Sequence, residues 1–192
     1  MSRRLAALLS GAMLCCVLPL SLSPRAARAQ EFAQFVDSGQ RLGGESSYAV
    51  ALGDLDGDGD LDALVANGAG ERSQVWMNDG RGNFRLAGEL RAVSETRDVT
   101  LGDLDGDGDL DAFLANAGGA PNTVWFNDGA GEFSDSNQKL GNGASRAAVL
   151  ADLDGDGDLD AYVANGQGAG QAANESAGAP SMADELWLND GT

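Results

Sequence analysis

Fifteen aspartates fall into three nine-residue runs, and their spacing points to one chemistry. In Asp54-Leu55-Asp56-Gly57-Asp58-Gly59-Asp60-Leu61-Asp62 the carboxylates occupy positions 1, 3, 5, 7 and 9, with Gly at position 6. The same run recurs at Asp103–Asp111 and Asp152–Asp160. Calcium is a hard cation that takes roughly six to eight oxygens in flexible geometry, so alternating Asp around a sharp Gly turn lets one short loop surround it. Positions 1, 3, 5 and 9 are expected to ligate through side chains, and position 7 through its main-chain carbonyl while its carboxylate stays in water. The side-chain ligands are then Asp54, Asp56, Asp58 and Asp62, with Asp60 as main-chain ligand. The second set is Asp103, Asp105, Asp107 and Asp111 with Asp109; the third is Asp152, Asp154, Asp156 and Asp160 with Asp158. About three calcium ions per chain are expected, one per loop. Magnesium, with its strict octahedral demand, is second choice. Merely solvated turns are the competing reading, and electrostatics opposes them. Two carboxylates 4 Å apart repel by about 4 kcal/mol at an effective dielectric near 20, so five on nine residues need a counter-ion to be ordered.

Composition narrows the alternatives. The 192 residues contain no His, so imidazole bases, His-ligated metals and Ser-His-Asp or Cys-His arrangements are excluded. Both cysteines, Cys15 and Cys16, lie near the N-terminus, and without thiolate or imidazole ligands zinc and copper fit badly. The 30 acidic residues outnumber 12 basic ones, for a net charge of -18, which repels nucleic acid and anionic lipid surfaces. Arg3, Arg4, the apolar stretch from Leu5 to Leu22, and Ala27-Arg28-Ala29 resemble an export signal over residues 1–29, cleaved before Gln30. An uncleaved anchor is the rival reading, weakened by Ser10, Gly11, Pro19 and Ser21. Lipidation is weaker too, because Leu14 rather than a small residue precedes Cys15. Cleavage leaves no cysteine and a net charge of -22, which three calcium ions would bring to -16. No membrane insertion is expected after it, and the product is expected to be secreted or held at the cell surface.

The loops must be positioned by something, and the chain repeats every 49 residues. Phe35, Phe84 and Phe133 keep the step, as do Asn67, Asn116 and Asn165, and Trp76 and Trp125. Trp187 arrives 13 residues late, after a Gly- and Ala-rich insertion over residues 166–184. That insertion is read as an idle linker first and a contact loop second. Asn174-Glu175-Ser176 matches a glycosylation acceptor, a pattern too short to be specific. Short strands are expected over residues 48–52, 62–66, 74–77 and 83–87 of the first repeat, with an Asn-Asp-Gly turn after each Trp. Four antiparallel strands in about 49 residues is the size of one β-propeller blade. Leu64, Val65, Trp76 and Phe84, with their equivalents, are expected to pack blade on blade. Repeats run over about 35–83, 84–132 and 133–192. An EF-hand would need Glu at position 12, where Val65, Leu114 and Val163 stand. Dockerin-like repeats are shorter and helical, and RTX nonapeptides lack the long spacer.

On these residues the chain resembles the FG-GAP/VCBS repeat family, whose calcium-loop repeats also form the β-propeller heads of integrin α chains. All three loops match that family's D-x-D-x-D-G-x-x-D pattern. The resemblance implies an all-β chain of propeller-type blades, a calcium ion in each hairpin loop, and a role in extracellular binding or adhesion. Three blades fall short of the usual four to eight, so an incomplete or fragmentary propeller is expected, with an open array or an oligomer as the alternative. The third repeat stops in its turn before a fourth strand, and residues 32–36 correspond to that missing strand. The expected function is a non-catalytic calcium-binding module for an extracellular protein or glycan ligand. The alternative is part of a larger propeller enzyme acting on polysaccharides, disfavoured because Asp37, Asp98, Glu132 and Asp184 form no recognisable pair.

Overall fold

In the computed structural model, which describes residues 34–68, 70–91, 94–141, 144–166 and 183–191, the alternating apolar segments form eleven short strands and no helix. The first repeat folds as β1 (Ser47–Gly53), β2 (Asp62–Asn67), β3 (Gln74–Asn78) and β4 (Phe84–Glu89). The second folds as β5 (Glu95–Gly102), β6 (Asp111–Ala117), β7 (Thr123–Asn127) and β8 (Phe133–Asp135). The third supplies β9 (Ser145–Ala151), β10 (Asp160–Asn165) and β11 (Glu185–Trp187). Each repeat is one antiparallel sheet in sequence order, of four, four and three strands. The propeller-blade reading of an all-β chain is what the structure shows, and the three sheets do not close on themselves. Within each sheet every turn joins neighbours, so all pairing is local.

The described residues from Gly39 onward belong to one compact unit, which carries all eleven strands. The export signal and Phe32 lie outside the described residues. Gln34 to Val36 form no strand, so the described part of the segment matched to the missing fourth strand is not one. The 166–184 insertion lies almost wholly outside the described residues, as does Asn174.

The core lies between sheets. Leu55, Leu64, Val75 and Met77 of the first repeat pack with Val99, Leu114 and Trp125 of the second. Phe113 and Val124 of the second pack with Ala148, Ala161 and Val163 of the third. These positions alternate along each strand, so the middle sheet gives one face to the repeat before it and one to the repeat after it. Val65 and Trp76 are only half-buried, because they lie on the first sheet's unpaired side, and Phe84 also stays partly exposed.

Candidate metal centres

Each Asp run connects the first two strands of its sheet and begins just after a strand end: β1 stops at Gly53 and β2 starts at Asp62. Glycines at positions 4 and 6 let the loop fold back on itself. Gly57 and Gly59 have φ of 75° and 90°, a left-handed backbone that side chains oppose. Position 6 was expected from the motif; the same demand at position 4 was not.

Main-chain N–H groups bind the loop around its first carboxylate. Asp54 accepts from Gly57 N at 2.8 Å and from Gly59 N at 3.0 Å, and Asp103 accepts from Gly106 and Gly108 at 2.8 and 3.1 Å. Positions 3 and 5 each accept from the N–H two residues on, as Asp56 does from Asp58 and Asp58 from Asp60. These bonds turn carboxylate oxygens toward one centre. Asp54, Asp56 and Asp58 bring one oxygen each within 4.8 Å of one another; Asp103, Asp105 and Asp111 do the same, and so do Asp152, Asp154 and Asp160. Three all-oxygen carboxylate clusters, without sulfur or nitrogen, form a donor set able to hold a hard cation. The residues present therefore fit the ion that the loop pattern implies.

The geometry distributes the predicted ligands unevenly. Positions 1 and 3 join the cluster in all three loops, position 5 in the first, and position 9 in the second and third. Position 9 is fully buried at Asp62, Asp111 and Asp160. Its two oxygens brace the fold. Asp62 accepts from Leu55 N at 3.1 Å and Asn78 N at 2.8 Å, Asp111 from Leu104 and Asn127, and Asp160 from Leu153 and Asn189. The position-7 carboxylates, expected to stand in water, are half-buried against the Asn-Asp-Gly turn. A Cβ on Gly80 would come within 2.3 Å of Asp60 Oδ2, and Gly129 and Gly191 meet Asp109 and Asp158 the same way.

Electrostatics agrees with crowding. Loss of water around Asp56, Asp105 and Asp154 raises their carboxyl pKa, and neighbouring loop carboxylates push the same way. Burial also raises Asp111, against the opposing pull of the Asn127 and Leu104 N–H groups. At Asp160 the equivalent bonds from Asn189 and Leu153 win and lower it, in the sheet that has only three strands. A cation would relieve the first group and compete with protons for it.

The model for an FG-GAP-like repeat matches residues 54–114 and 103–163, together more than half of the chain. The chain belongs to the FG-GAP-like repeat family. Each match spans two successive Asp loops of the FG-GAP-like repeats, from the first aspartate of one to the strand that follows the next. Among curated proteins none matches this chain. A β-propeller-like binding module is the role that membership supports.

Residues outside the motif hold these FG-GAP-like loops in place. Asn127 Nδ2 donates to Leu55 O at 2.9 Å, and Asn189 Nδ2 to Leu104 O at 2.9 Å, so the turns of the second and third repeats anchor the Asp loop of the repeat before them. Asn67, Asn116 and Asn165 each donate at 2.8 Å to the carbonyl of Arg72, Pro121 and Ala183, bracing the link to the third strand. Their 49-residue recurrence was visible in the sequence; their partners, reached only through folding, were not. Two of the acids outside the loops have structural work: Asp98 accepts from Ala148 N at 3.0 Å, and Asp184 accepts from Tyr162 Oη and Asn165 N.

Proposed function

We propose that the protein is a non-catalytic, calcium-binding module that works outside the cytoplasm and binds an extracellular protein or glycan. The observation that carries this reading is the threefold recurrence of one oxygen-only carboxylate cluster in the same loop of successive sheets. Asp54, Asp56, Asp58, Asp60 and Asp62, with their equivalents in the other two loops, would hold the ions. Bound calcium would supply charge neutralisation where the loop carboxylates crowd one another. Asp111 and Asp160 belong both to a carboxylate cluster and to the frame, so filling those loops would stiffen the sheets that carry them.

Export is supported by the sequence of residues 1–29 and by membership of a repeat family typical of extracellular proteins. Among the described residues no helix is long and apolar enough to cross a membrane. The non-catalytic reading rests on the commitment of Asp98 and Asp184 to main-chain and tyrosine partners, which ties up two of the acids that a carboxylate pair would require. Calorimetric titration with calcium is the test. Binding in the wild type and its loss in the Asp58→Ala, Asp107→Ala, Asp156→Ala triple variant are expected. Heats that are the same in the two proteins would contradict the assignment. Retention on a glycan or protein array without product release is expected for the partner, and turnover of a polysaccharide would favour the enzyme alternative.

A further inference from the structure

A run of hydrogen bonds joins the three Asp loops to one another. It starts in the first loop, where Leu55 stands between the clustered Asp54 and Asp56 and its carbonyl accepts from Asn127 Nδ2 at 2.9 Å. The main-chain N–H of the same Asn127 donates at 2.9 Å to Asp111 Oδ1, and Asp111 belongs to the second cluster. The other oxygen of Asp111 accepts from Leu104 N at 2.9 Å, and the carbonyl of Leu104 accepts from Asn189 Nδ2 at 2.9 Å. Asn189 N then donates at 2.9 Å to Asp160 Oδ1, a member of the third cluster. Asn127 and Asn189 therefore each hold a carbonyl inside one loop with the side chain and a cluster carboxylate of the next loop with the main chain.

An apolar link runs beside the polar one. Gly53, the residue before the first loop, lies against Leu110 of the second loop, so closely that a Cβ on it would come within 2.6 Å of Leu110 Cδ1. Gly102 and Leu159 repeat the contact between the second and third loops at 2.7 Å. Leu55, Asp111 and Asn127 are exposed by only 1%, 0% and 4%, so water has little access to replace a partner that moves away.

Neighbouring loops joined in this way do not order independently. In a loop without its ion the crowded carboxylates repel one another and work against the folded-back backbone. An ion in the second loop fixes Asp111, Asp111 fixes the turn at Asn127, and Asn127 fixes the carbonyl between two ligands of the first loop. The next ion then meets a loop whose ordering is partly complete, which is positive cooperativity. The charge of the first ion opposes this, but salt screens exposed charges beyond about 8 Å at physiological ionic strength and leaves the buried bonds in place.

We infer that the calcium sites are coupled in a row, each ion raising the affinity of the adjoining loop, and that Asn127 and Asn189 carry the coupling. Resting on the calcium reading of the loops, this coupling makes the two asparagines positioning residues rather than ligands. The row fills over a narrower range of calcium than three independent loops would.

Each loop has its own reporter for the test. Gly57 N, Gly106 N and Gly155 N donate to the first aspartate of their loops at 2.8, 2.8 and 2.7 Å, so their amide NMR signals follow the three sites separately through a calcium titration. Asp105→Ala removes an exposed member of the second cluster and is expected to raise the Gly57 midpoint about fivefold or more, along with that of Gly106. Asp56→Ala should raise the Gly106 midpoint by a similar factor, because coupling between two binding sites is reciprocal. In Asn127→Ala the main-chain bond to Asp111 survives and the side-chain bond to Leu55 O is lost, so Gly57 should no longer respond to Asp105→Ala. Circular dichroism in excess calcium checks that each variant is folded. If Asn127→Ala does not fold, the part-buried Asn189→Ala gives the same test at the other seam, read at Gly106 against Asp154→Ala. A Gly57 midpoint that ignores Asp105→Ala in the otherwise wild-type chain would overturn the coupling and leave Asn127 a brace only. A response that persists in Asn127→Ala would overturn the role of the asparagine. Both results leave calcium binding standing, whereas three glycines that do not respond to calcium at all would overturn the calcium reading and the coupling with it.

Discussion

Asp111 has a bracing role beside its expected ligand role, and a single substitution can separate it from its neighbour Asp107. Both are expected calcium ligands, yet Asp111 is buried and accepts from Leu104 N and Asn127 N, whereas Asp107 is exposed and accepts from Asp109 N within its own loop. Removing an acceptor strands its donors, at about 1–3 kcal/mol for each buried group left unpaired. Asp111→Ala, which strands two donors, is therefore expected to lower stability by about 2–6 kcal/mol even in EDTA, while Asp107→Ala should leave the EDTA unfolding curve nearly unchanged and reduce only calcium binding. Urea titrations of both variants with and without calcium check this. Equal effects of the two variants in EDTA would show that position 9 has no bracing role. The motif spacing made both residues legible as ligands. It could not show the second role, because Leu104 and Asn127 meet Asp111 only after the loop closes and β7 pairs with β6.

At the scale of elements, the strands were legible because apolar residues alternate and the pattern returns every 49 residues. The first-repeat expectations of 48–52, 62–66, 74–77 and 83–87 correspond to Ser47–Gly53, Asp62–Asn67, Gln74–Asn78 and Phe84–Glu89, with ends shifted by a residue or two. The register irregularity shared by the first strands, between Ser47 and Ala49 and between Thr96 and Asp98, was not legible, since nothing in the alternation marks an extra residue. Neither was the seam. Asn127 lies in a turn motif that looks complete by itself, but its side chain is buried against the preceding repeat's loop. Asn127→Ala is expected to cost about 1–3 kcal/mol, by leaving Leu55 O without its donor, and to loosen the first loop rather than its own. Amide exchange of Gly57 and Gly59 reports that; faster exchange in the second loop alone would place the effect elsewhere. Gly102→Ala should cost about 1–3 kcal/mol by overpacking Leu159 against the new methyl. Thermal unfolding measures it, and an unchanged midpoint would mean that the seam has slack.

For the whole molecule, the charge of -18 and the absence of His and soft ligands already pointed to hard cations, and half of the 30 acids lie in the three loops. The stacking of blades followed from the repeat alone, because one four-stranded sheet cannot cover both of its faces. How far each apolar side chain is covered is decided by surfaces, not by local pattern, which is why exposure at Val50 and Leu186 had to be seen in three dimensions. The stability of the fold should be linked to calcium by mass action. An ion that binds only the folded chain adds about 2.7 kcal/mol per site at a hundredfold excess over its dissociation constant. The most direct measurement is thermal unfolding of the wild-type protein across a calcium titration, with binding stoichiometry from calorimetry on the same sample. The account predicts a midpoint that rises steadily with calcium, falls back in EDTA, and accompanies about three ions bound per chain. A midpoint indifferent to calcium and EDTA, with no bound ion, would contradict it.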